Sequence, residues 1–357
     1  MSAGTRTQAT LRLLISLLIA VGFAFALVRR IELIPADPWL PAWVVPSYLL
    51  SLIVYFLFRA GRWHFLVAPL AGERGISWKT TLAVSMAGTM WIMVLPLRLG
   101  EFARPLFLAQ KSEIGVGQAL GTVALERVVD GLFVCALFFA ALPLLPEVQG
   151  EQAEAVAWLR RVGLLAALGL LGVLVVLLGM AMAPASVGRL VERTLGRVIP
   201  PLANKLGELA RGVAEGLRAL PSFMPLLWFL LGTAAYWGMN AAGTWLLARG
   251  CGLALGFPEA LAIMAVLGLS LLVPGGPGQF GIFHYGMALG LSMFVSPEQV
   301  RTHGSVFIFW MFVTQLSLGV LLGLIAQRTL ELDWRSLFGL GKPGLGKPGL
   351  GEPERPA

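Results

Sequence analysis

Charged residues are scarce in this chain. Asp, Glu, Lys and Arg make up 13% of the sequence, whereas a soluble domain carries roughly a quarter. The two cysteines and three histidines are too few for a disulfide framework or a ready metal site, so no metal and no other cofactor is expected. Hydrophobic residues make up 57%, and the mean hydropathy is +0.80. This composition excludes an ordinary soluble domain and predicts an all-α polytopic membrane protein.

The apolar stretches predict about six full transmembrane helices, since a helix needs roughly 20 apolar residues to cross a bilayer. The stretches cover residues 11–28, 43–58, 116–145, 164–183, 224–247 and 306–326. Two further pairs of apolar segments, 80–111 and 258–295, are each interrupted by proline and glycine. Their halves are too short to span, so we predict two re-entrant hairpins that satisfy their backbone inside the protein.

A short phrase occurs once in each half of the chain. Residues 96–102 read PLRLGEF and residues 274–280 read PGGPGQF, so both fit P-x-x-x-G-[E/Q]-F. Each copy interrupts an apolar run. Paired interruptions in two halves are typical of inverted-repeat transporters, whose site forms where the broken helices meet. We therefore predict an inverted repeat in which the two elbows line a polar cavity.

The distribution of basic residues predicts the orientation. Regions 59–79 and 184–222 are rich in Lys and Arg, whereas 146–157 carries three glutamates and no basic residue. Basic loops remain in the cytoplasm, so both termini are expected on the cytoplasmic side. The membrane is expected to be the cell (plasma or inner) membrane. The net charge of +8 then reflects cytoplasmic loops and anionic lipid, and no nucleic-acid partner is expected.

These signals predict a five-part organisation. The parts are a cytoplasmic N-terminus (1–10), a first transmembrane half (11–183), a basic amphipathic linker (184–222), a second transmembrane half (223–327) and a disordered cytoplasmic tail (328–357). Apolar residues at helical spacing in the linker resemble an amphipathic surface helix. A solvated connecting loop is the favoured interpretation, because Lys and Arg are enriched in the cytoplasmic loops of any polytopic protein. The tail repeats the phrase Gly-Leu-Gly-Lys-Pro, a low-complexity composition that is typical of disorder.

Ionisable residues at membrane depth form the candidate binding site. The first elbow carries Arg98, Glu101 and Arg104, and the helix that follows carries Glu126, Arg127 and Asp130. Residues 131–145 are too few to span the bilayer alone, so the span must begin near Glu126. The charged residues then lie at the inner-leaflet boundary or within the membrane. Two interpretations remain open. The charges are either a salt-bridge clamp that holds the hairpin, or a cavity that binds a charged head group.

The second elbow is rich in glycine and lacks charge. Its candidate residues are Gly275, Gly276, Gly278, Gln279 and His284. Glycine allows close backbone approach and leaves amide N–H groups free for an anion, although a tightly packed turn is an equal alternative. His284 is either a titrating proton carrier or a hydrogen-bonded structural residue. We predict substrate binding for both elbow sets and no catalytic residue.

The same residues carry a family resemblance. The run 95–104 (LPLRLGEFAR) and the phrase ERVVDG at 126–131 resemble the transmembrane flippase region of lysylphosphatidylglycerol synthases and its stand-alone relatives. Residues 274–283 resemble the second signature of that family, although His284 stands where a glutamate is common. The resemblance covers roughly residues 10–330 and implies lipid transport. The soluble aminoacyl-transferase domain of the synthases is not seen, so we expect no synthesis of lysyl-lipid.

The sequence therefore supports one leading hypothesis and two alternatives. The leading hypothesis is a flippase-like transporter that moves a polar or anionic glyco- or phospholipid between leaflets, with Arg98 and Arg104 on the phosphate. The first alternative is a membrane-embedded transferase that acts on a polyprenyl-phosphate or phospholipid. The second is a non-transporting scaffold of an envelope enzyme. The expected partner is a membrane lipid with a polar or phosphate head group, and a homo-oligomer is left open.

Overall fold

The computed structural model describes residues 31–95, 100–144, 151–183, 200–218, 222–271 and 276–338, with a few single positions beyond these ranges. Within them every long element is an α-helix, and no strand occurs. The helices are α1 (Val44–Gly61), α2 (Trp78–Val94), α3 (Ala103–Lys111), α4 (Val116–Ala141), α5 (Glu151–Met182), α6 (Pro200–Arg218), α7 (Phe223–Gly250), α8 (Phe257–Ser270), α9 (Ile282–Ser292) and α10 (Ser305–Thr329). The predicted first span, 11–28, lies almost entirely outside the described residues.

Among the described residues, four helical stretches are long and apolar enough to cross a bilayer. They are Val44–Leu70, Val116–Leu144, Val156–Met182 and Pro297–Thr329. Helix α7 has 28 residues, which is also a sufficient length, but polar side chains such as Thr233 and Asn240 interrupt its apolar run. These helices make the chain a multi-pass membrane protein, as the composition predicted.

Two hairpins of shorter helices pack among the long ones. Helix α2 begins at Ser77, whose hydroxyl accepts a hydrogen bond from the backbone N–H of Thr80 at 3.0 Å, and it ends at Leu95 in extended backbone. Proline at position 96 favours that extended conformation in the residue before it. At 17 and 14 residues, α2 and α8 extend only about 25 and 21 Å. Both are therefore shorter than the hydrocarbon core, about 30 Å thick.

Small residues bring the helices of this bundle close together. A Cβ added at Gly243 of α7 would meet Ser51 of α1, and one added at Gly319 of α10 would meet Met93 of α2. In the second hairpin, a Cβ at Gly286 of α9 would lie 2.8 Å from Ser270 of α8. In lipid, burial of apolar surface contributes little to the association of helices. Small residues let the helix backbones approach closely, and the resulting van der Waals contacts stabilise the packing.

Residues 200–218 of the predicted linker form a packed helix and not a solvated loop. Gly212 of α6 faces the backbone of Gly117 in α4, where an added Cβ would lie 3.1 Å from its Cα. A Cβ added at Gly121 or Gly216, one turn further along each helix, would lie still closer to the opposite backbone, at 2.5 and 2.3 Å. The amphipathic pattern therefore corresponds to a helix whose small face packs against α4.

Residues beyond α10 contact the first hairpin. The backbone N–H of Asp333 donates to Gln110 Oε1 at 2.9 Å, and Gln110 Nε2 donates back to the Asp333 carbonyl at 3.0 Å. The indole of Trp334 stacks on Trp91, with ring centroids 6.2 Å apart. Asp333 and Trp334 therefore have partners on α3 and α2 that composition does not reveal. Disorder of the tail as a whole stays a prediction.

Candidate functional site

A buried arginine organises the charged residues of the bundle. Arg62 follows directly after α1 and has a fully buried side chain. One terminal nitrogen, Nη2, lies 2.9 Å from Glu126 and 2.8 Å from the Asp130 carboxylate, while Nη1 donates to Thr233 Oγ1 at 2.6 Å. A buried charge is tolerated only with such close partners. Arg62 thereby joins α1, α4 and α7.

Two further arginines complete this cluster. Arg104 Nη1 lies 2.8 Å from Glu126 Oε2, and its guanidinium stacks on Trp63 at 4.2 Å from the ring centroid. Arg127 Nη2 lies 3.0 Å from Glu126 and 3.5 Å from Asp130. Glu126 therefore has three arginine partners and a fully buried side chain. The predicted clamp between Arg104 and Glu126 is present in the structure.

Glycine makes room for two of these arginines. A Cβ added at Gly88 of α2 would collide with the Arg104 side chain, and one added at Gly232 of α7 would lie 2.9 Å from Cβ of Arg62. The Arg104 and Arg62 side chains therefore fit between packed helices only because no Cβ occupies these two positions. This local requirement explains why glycine stands at both positions.

A cavity of about 220 Å³ lies beside the cluster. Charged residues line one part of it: Arg59, Glu101, Arg127 and Asp130. Uncharged polar and aromatic residues line another: Tyr55, Thr89, Trp237, Asn240, Gln279 and Gln315. The wall is completed by apolar side chains of α2, α4, α8 and α9. A polar cavity enclosed by apolar helices can hold one small charged or hydroxylated group.

The two hairpins meet at this cavity. Met93 near the end of α2 and Gln279 in the second elbow both line it, and a Cβ added at Gly278 would lie 3.6 Å from the Met93 carbonyl oxygen. Gly278 and Gln279 both have positive φ, +67° and +59°. Gly100 in the first elbow is pressed so closely to the Trp91 backbone that no Cβ fits. The repeated phrase therefore marks two turns that both need glycine, for different reasons.

The sequence-predicted site residues fall into three groups. Glu101, Arg127, Asp130 and Gln279 line the cavity. Arg104 and Glu126 lie in the ion-pair cluster beside it, and Gly276, Gly278 and His284 belong to the second hairpin without lining the cavity. Arg98 and Gly275 lie outside the described residues. Whether any of these residues binds substrate stays a prediction.

His284 occupies an aromatic environment. Its ring centroid lies 4.8 Å from that of Phe280 and 4.6 Å from that of Phe312. The side chain is 3% exposed, and within the described part of the chain its Nδ1 has no hydrogen-bond partner. The imidazole therefore lies in an aromatic pocket, and among the described residues Nδ1 lacks the hydrogen bond that the structural alternative requires. Its role as a structural residue or as a proton carrier stays a prediction.

Arg62 and Arg59 are the functional candidates that sequence reasoning missed. Both were interpreted as markers of a cytoplasmic loop, although Arg59 lines the cavity and Arg62 anchors the cluster. The apolar stretch 43–58 has only 16 residues, fewer than the roughly 20 that a span requires. The length argument that took Glu126 to the membrane could therefore have found both arginines.

Two buried polar atoms of α7 have no hydrogen-bond partner among the described residues. Trp237 Nε1 and Asn240 Oδ1 are buried, and neither forms a hydrogen bond with any described residue. Both residues line the cavity. Buried polar groups are nearly always hydrogen-bonded, so these two atoms are exceptions that the described residues do not satisfy. Within the described residues no cluster of His, Cys, Asp and Glu is arranged to hold a metal ion.

Comparison with known proteins identifies one family. The family model described as "Lysylphosphatidylglycerol synthase TM region" matches residues 10–323. No curated protein matches the chain. The family match includes every helix from α1 to α9 and most of α10, so it covers all the described residues of the cluster and the cavity.

Proposed function

We propose, since the chain belongs to the lysylphosphatidylglycerol synthase TM region family, that it is a flippase-like transporter which moves a polar or anionic lipid between the leaflets of a membrane. The observation that carries the proposal is a charged, polar cavity enclosed by apolar helices. Ionisable residues are expensive inside a bilayer and generally mark a substrate path. The head group would enter this cavity while the acyl chains stay in lipid.

The arrangement of the hairpins supports an alternating-access mechanism. We infer that α2–α3 and α8–α9 are re-entrant hairpins related by an inverted repeat, which enter from opposite faces and meet at the midplane, where transporters of this type bind substrate. In this scheme six spans leave both termini in the cytoplasm. The contact between Gly278 and the end of α2 would open or close as one half rocks against the other.

The arginines have two roles in this mechanism, and Arg127 shares in both. Arg59 and Arg127 line the cavity and would contact the lipid phosphate, which suits the planar guanidinium fork, while Arg127 also pairs with Glu126 and Asp130. Arg62 and Arg104 pair with buried carboxylates and would hold α1, α3 and α4 in position. The sequence predicted that Arg98 and Arg104 contact the phosphate. In this assignment the cavity-lining Arg59 and Arg127 take that contact in place of Arg104.

A reconstituted transport assay tests the proposal. The full chain is placed in vesicles that contain lipids labelled on the acyl chain, and transport is measured as the fraction of label that an impermeant quencher reaches. Vesicles with the protein should expose inner-leaflet label much faster than protein-free vesicles. The variant Arg59→Gln should slow transport about tenfold or more, because it removes a charge-assisted hydrogen bond to phosphate.

The matched control is Arg160→Gln, which removes an equally charged but exposed residue of α5. It should transport at the wild-type rate. Equal rates in vesicles with and without the protein would contradict the transporter proposal. An Arg59→Gln rate equal to that of the wild type would contradict the role of the cavity arginines.

A further inference from the structure

Helix α10 ends in a turn that places a charged residue where glycine is usual. The backbone N–H of Leu332 donates to the Gln327 carbonyl at 3.0 Å, and that of Glu331 donates to the Arg328 carbonyl at 3.1 Å. This pair of bonds forms a Schellman motif, whose left-handed position favours glycine. Glu331 occupies that position with a φ of +48°. A residue with a Cβ is disfavoured in this conformation, so the turn is strained.

The turn directs the following residues back onto the first hairpin. We call residues 330–338 the strap, and they lie beyond residue 323, where the family match ends. Gln110 of α3 binds both main-chain polar groups of Asp333, since its Oε1 accepts at 2.9 Å and its Nε2 donates at 3.0 Å. The Asp333 carboxylate accepts from the Arg335 backbone N–H at 3.0 Å. This internal bond holds the strap in the shape that presents Asp333 to α3.

A second set of contacts joins the strap to α2. The indole of Trp334 stacks on that of Trp91, with ring centroids 6.2 Å apart and an angle of 21° between the planes. Trp91 Nε1 also donates to Gln327 Oε1 at 2.9 Å, so the same indole is held by α10. Trp334 is 43% exposed. The stacked pair therefore lies at the surface, where it can separate without opening the core.

Trp91 is also part of the first elbow. Its backbone lies so close to Gly100 that no Cβ fits there. Met93, two residues further on, lines the cavity, and its carbonyl oxygen faces Gly278 of the second elbow. The strap therefore holds a residue next to the junction of the two hairpins. A movement of α2 relative to α10 would separate Trp91 from both the strap and Gln327.

Opposing contributions decide whether the strap is docked. Stacking, the two hydrogen bonds to Gln110 and the burial of Leu332, which is 5% exposed, favour the docked position. The left-handed conformation of Glu331 opposes it, because an undocked strap is free to leave that conformation. Each contribution is small, so a single substitution in the strap shifts the ratio of docked to undocked states.

We propose that the strap is an autoinhibitory latch, which holds the first hairpin while it is docked and must be released for transport. The inference rests on the proposed transport function, since it names what limits the movement of the hairpin in that mechanism. Conformational steps of this kind often limit the rate of a cycle. A weaker latch therefore gives faster transport, and a tighter latch gives slower transport. A strap that only supports the fold predicts no gain of rate when its contacts are removed.

Variants that loosen the strap test the first half of this expectation. Trp334→Ala removes the stacked ring, and Gln110→Leu removes both hydrogen bonds to Asp333 with little change of size. In the vesicle assay each should transport roughly three- to tenfold faster than the wild type. The matched control is Trp245→Ala on α7, which removes an aromatic contact with Phe257 at the start of α8 and should not transport faster. Loosened variants that are no faster than the wild type would overturn the latch.

A variant that tightens the strap tests the second half. Glu331→Gly places glycine at the left-handed position and relieves the strain of the docked turn. It should slow transport roughly threefold, a modest factor because glycine also gains freedom in the undocked strap. Glu331→Ala is the matched control, since it removes the same charge but keeps the Cβ, and it should retain the wild-type rate. Unchanged transport in the glycine variant, or equal rates in the glycine and alanine variants, would count against the proposal.

Hydrogen–deuterium exchange of the purified full chain reports the latch without transport. Amides of α3 should exchange faster in Trp334→Ala and slower in Glu331→Gly than in the wild type, whereas amides of α9 should exchange at the wild-type rate. Unaltered exchange in α3 would contradict the latch. Equal transport by the wild type and all strap variants would overturn this inference alone, whereas absence of transport by the wild type would overturn the transporter proposal.

Discussion

Replacing Arg62 by methionine removes the charge at the centre of the cluster while keeping a long unbranched side chain. The Arg62 side chain is fully buried, and its guanidinium contacts Glu126, Asp130 and Thr233 at 2.6–2.9 Å. All three contacts link α1 to other helices. In Arg62→Met they are lost together, and both carboxylates remain buried.

The expected cost follows from what stays behind. Breaking a buried ion pair by removing one partner costs about 3–5 kcal/mol, because the other charge is left buried and uncompensated. Here Glu126 keeps Arg104 at 2.8 Å, and Asp130 keeps Arg127 at 3.5 Å and the Tyr236 hydroxyl at 2.8 Å. The remaining partners reduce the penalty, so we expect a loss at the lower end, about 3 kcal/mol.

The assay is reversible unfolding of the purified protein in mixed micelles, with the free energy of unfolding measured for wild type and variant. The matched control is Arg74→Met, which breaks an ion pair with Glu113 in which both side chains are at least 70% exposed. That variant should lose less than about 1 kcal/mol. If Arg62→Met lost no more than Arg74→Met, Arg62 would not anchor the cluster, and the assignment of separate positioning and binding arginines would fail.

Three further changes have defined outcomes. Gly278→Ala should lower the free energy of unfolding by about 1–2 kcal/mol, since its φ of +67° disfavours a residue with a Cβ; Gly169→Ala in open space on α5 should not destabilise, and an equal loss in both would contradict the strain. His284→Gln should keep transport with an unchanged pH dependence, because aromatic rings surround the imidazole; a flattened profile would make it a proton carrier. Glu154→Cys and Glu208→Cys, both at exposed positions, are made separately in a chain whose native cysteines are replaced. In intact cells an impermeant reagent should label the cysteine at 154 and not the one at 208, and the reverse pattern would invert the predicted topology.

The two elbows illustrate how far the repeated phrase could predict the site. Both glycines of the phrase occupy positions that need glycine, since Gly278 has positive φ and Gly100 stands where no Cβ fits. Both facts follow from local backbone geometry at an interruption in a helix. The phrase could not show that Gly278 contacts the end of α2, because that contact joins segments nearly two hundred residues apart.

The sequence by itself determined the class of the protein and the positions of its helices. Scarcity of charge, long apolar runs and their interruptions are local properties, and they led to an all-helical membrane protein with two hairpins of short helices. Helical spacing also placed Glu126 and Asp130 on one face of α4. These properties depend only on neighbours within a few turns.

Only the tertiary structure decided which charges pair and which atoms face the cavity. Arg62 meets carboxylates 64 and 68 residues further along the chain, so a residue that resembled a loop marker became the centre of a buried cluster. Trp237 and Asn240 resembled ordinary polar interruptions of a span until the packing of α7 left their polar atoms unpaired. Pairing and burial depend on which helices pack together, and a single sequence contains no direct signal for those contacts.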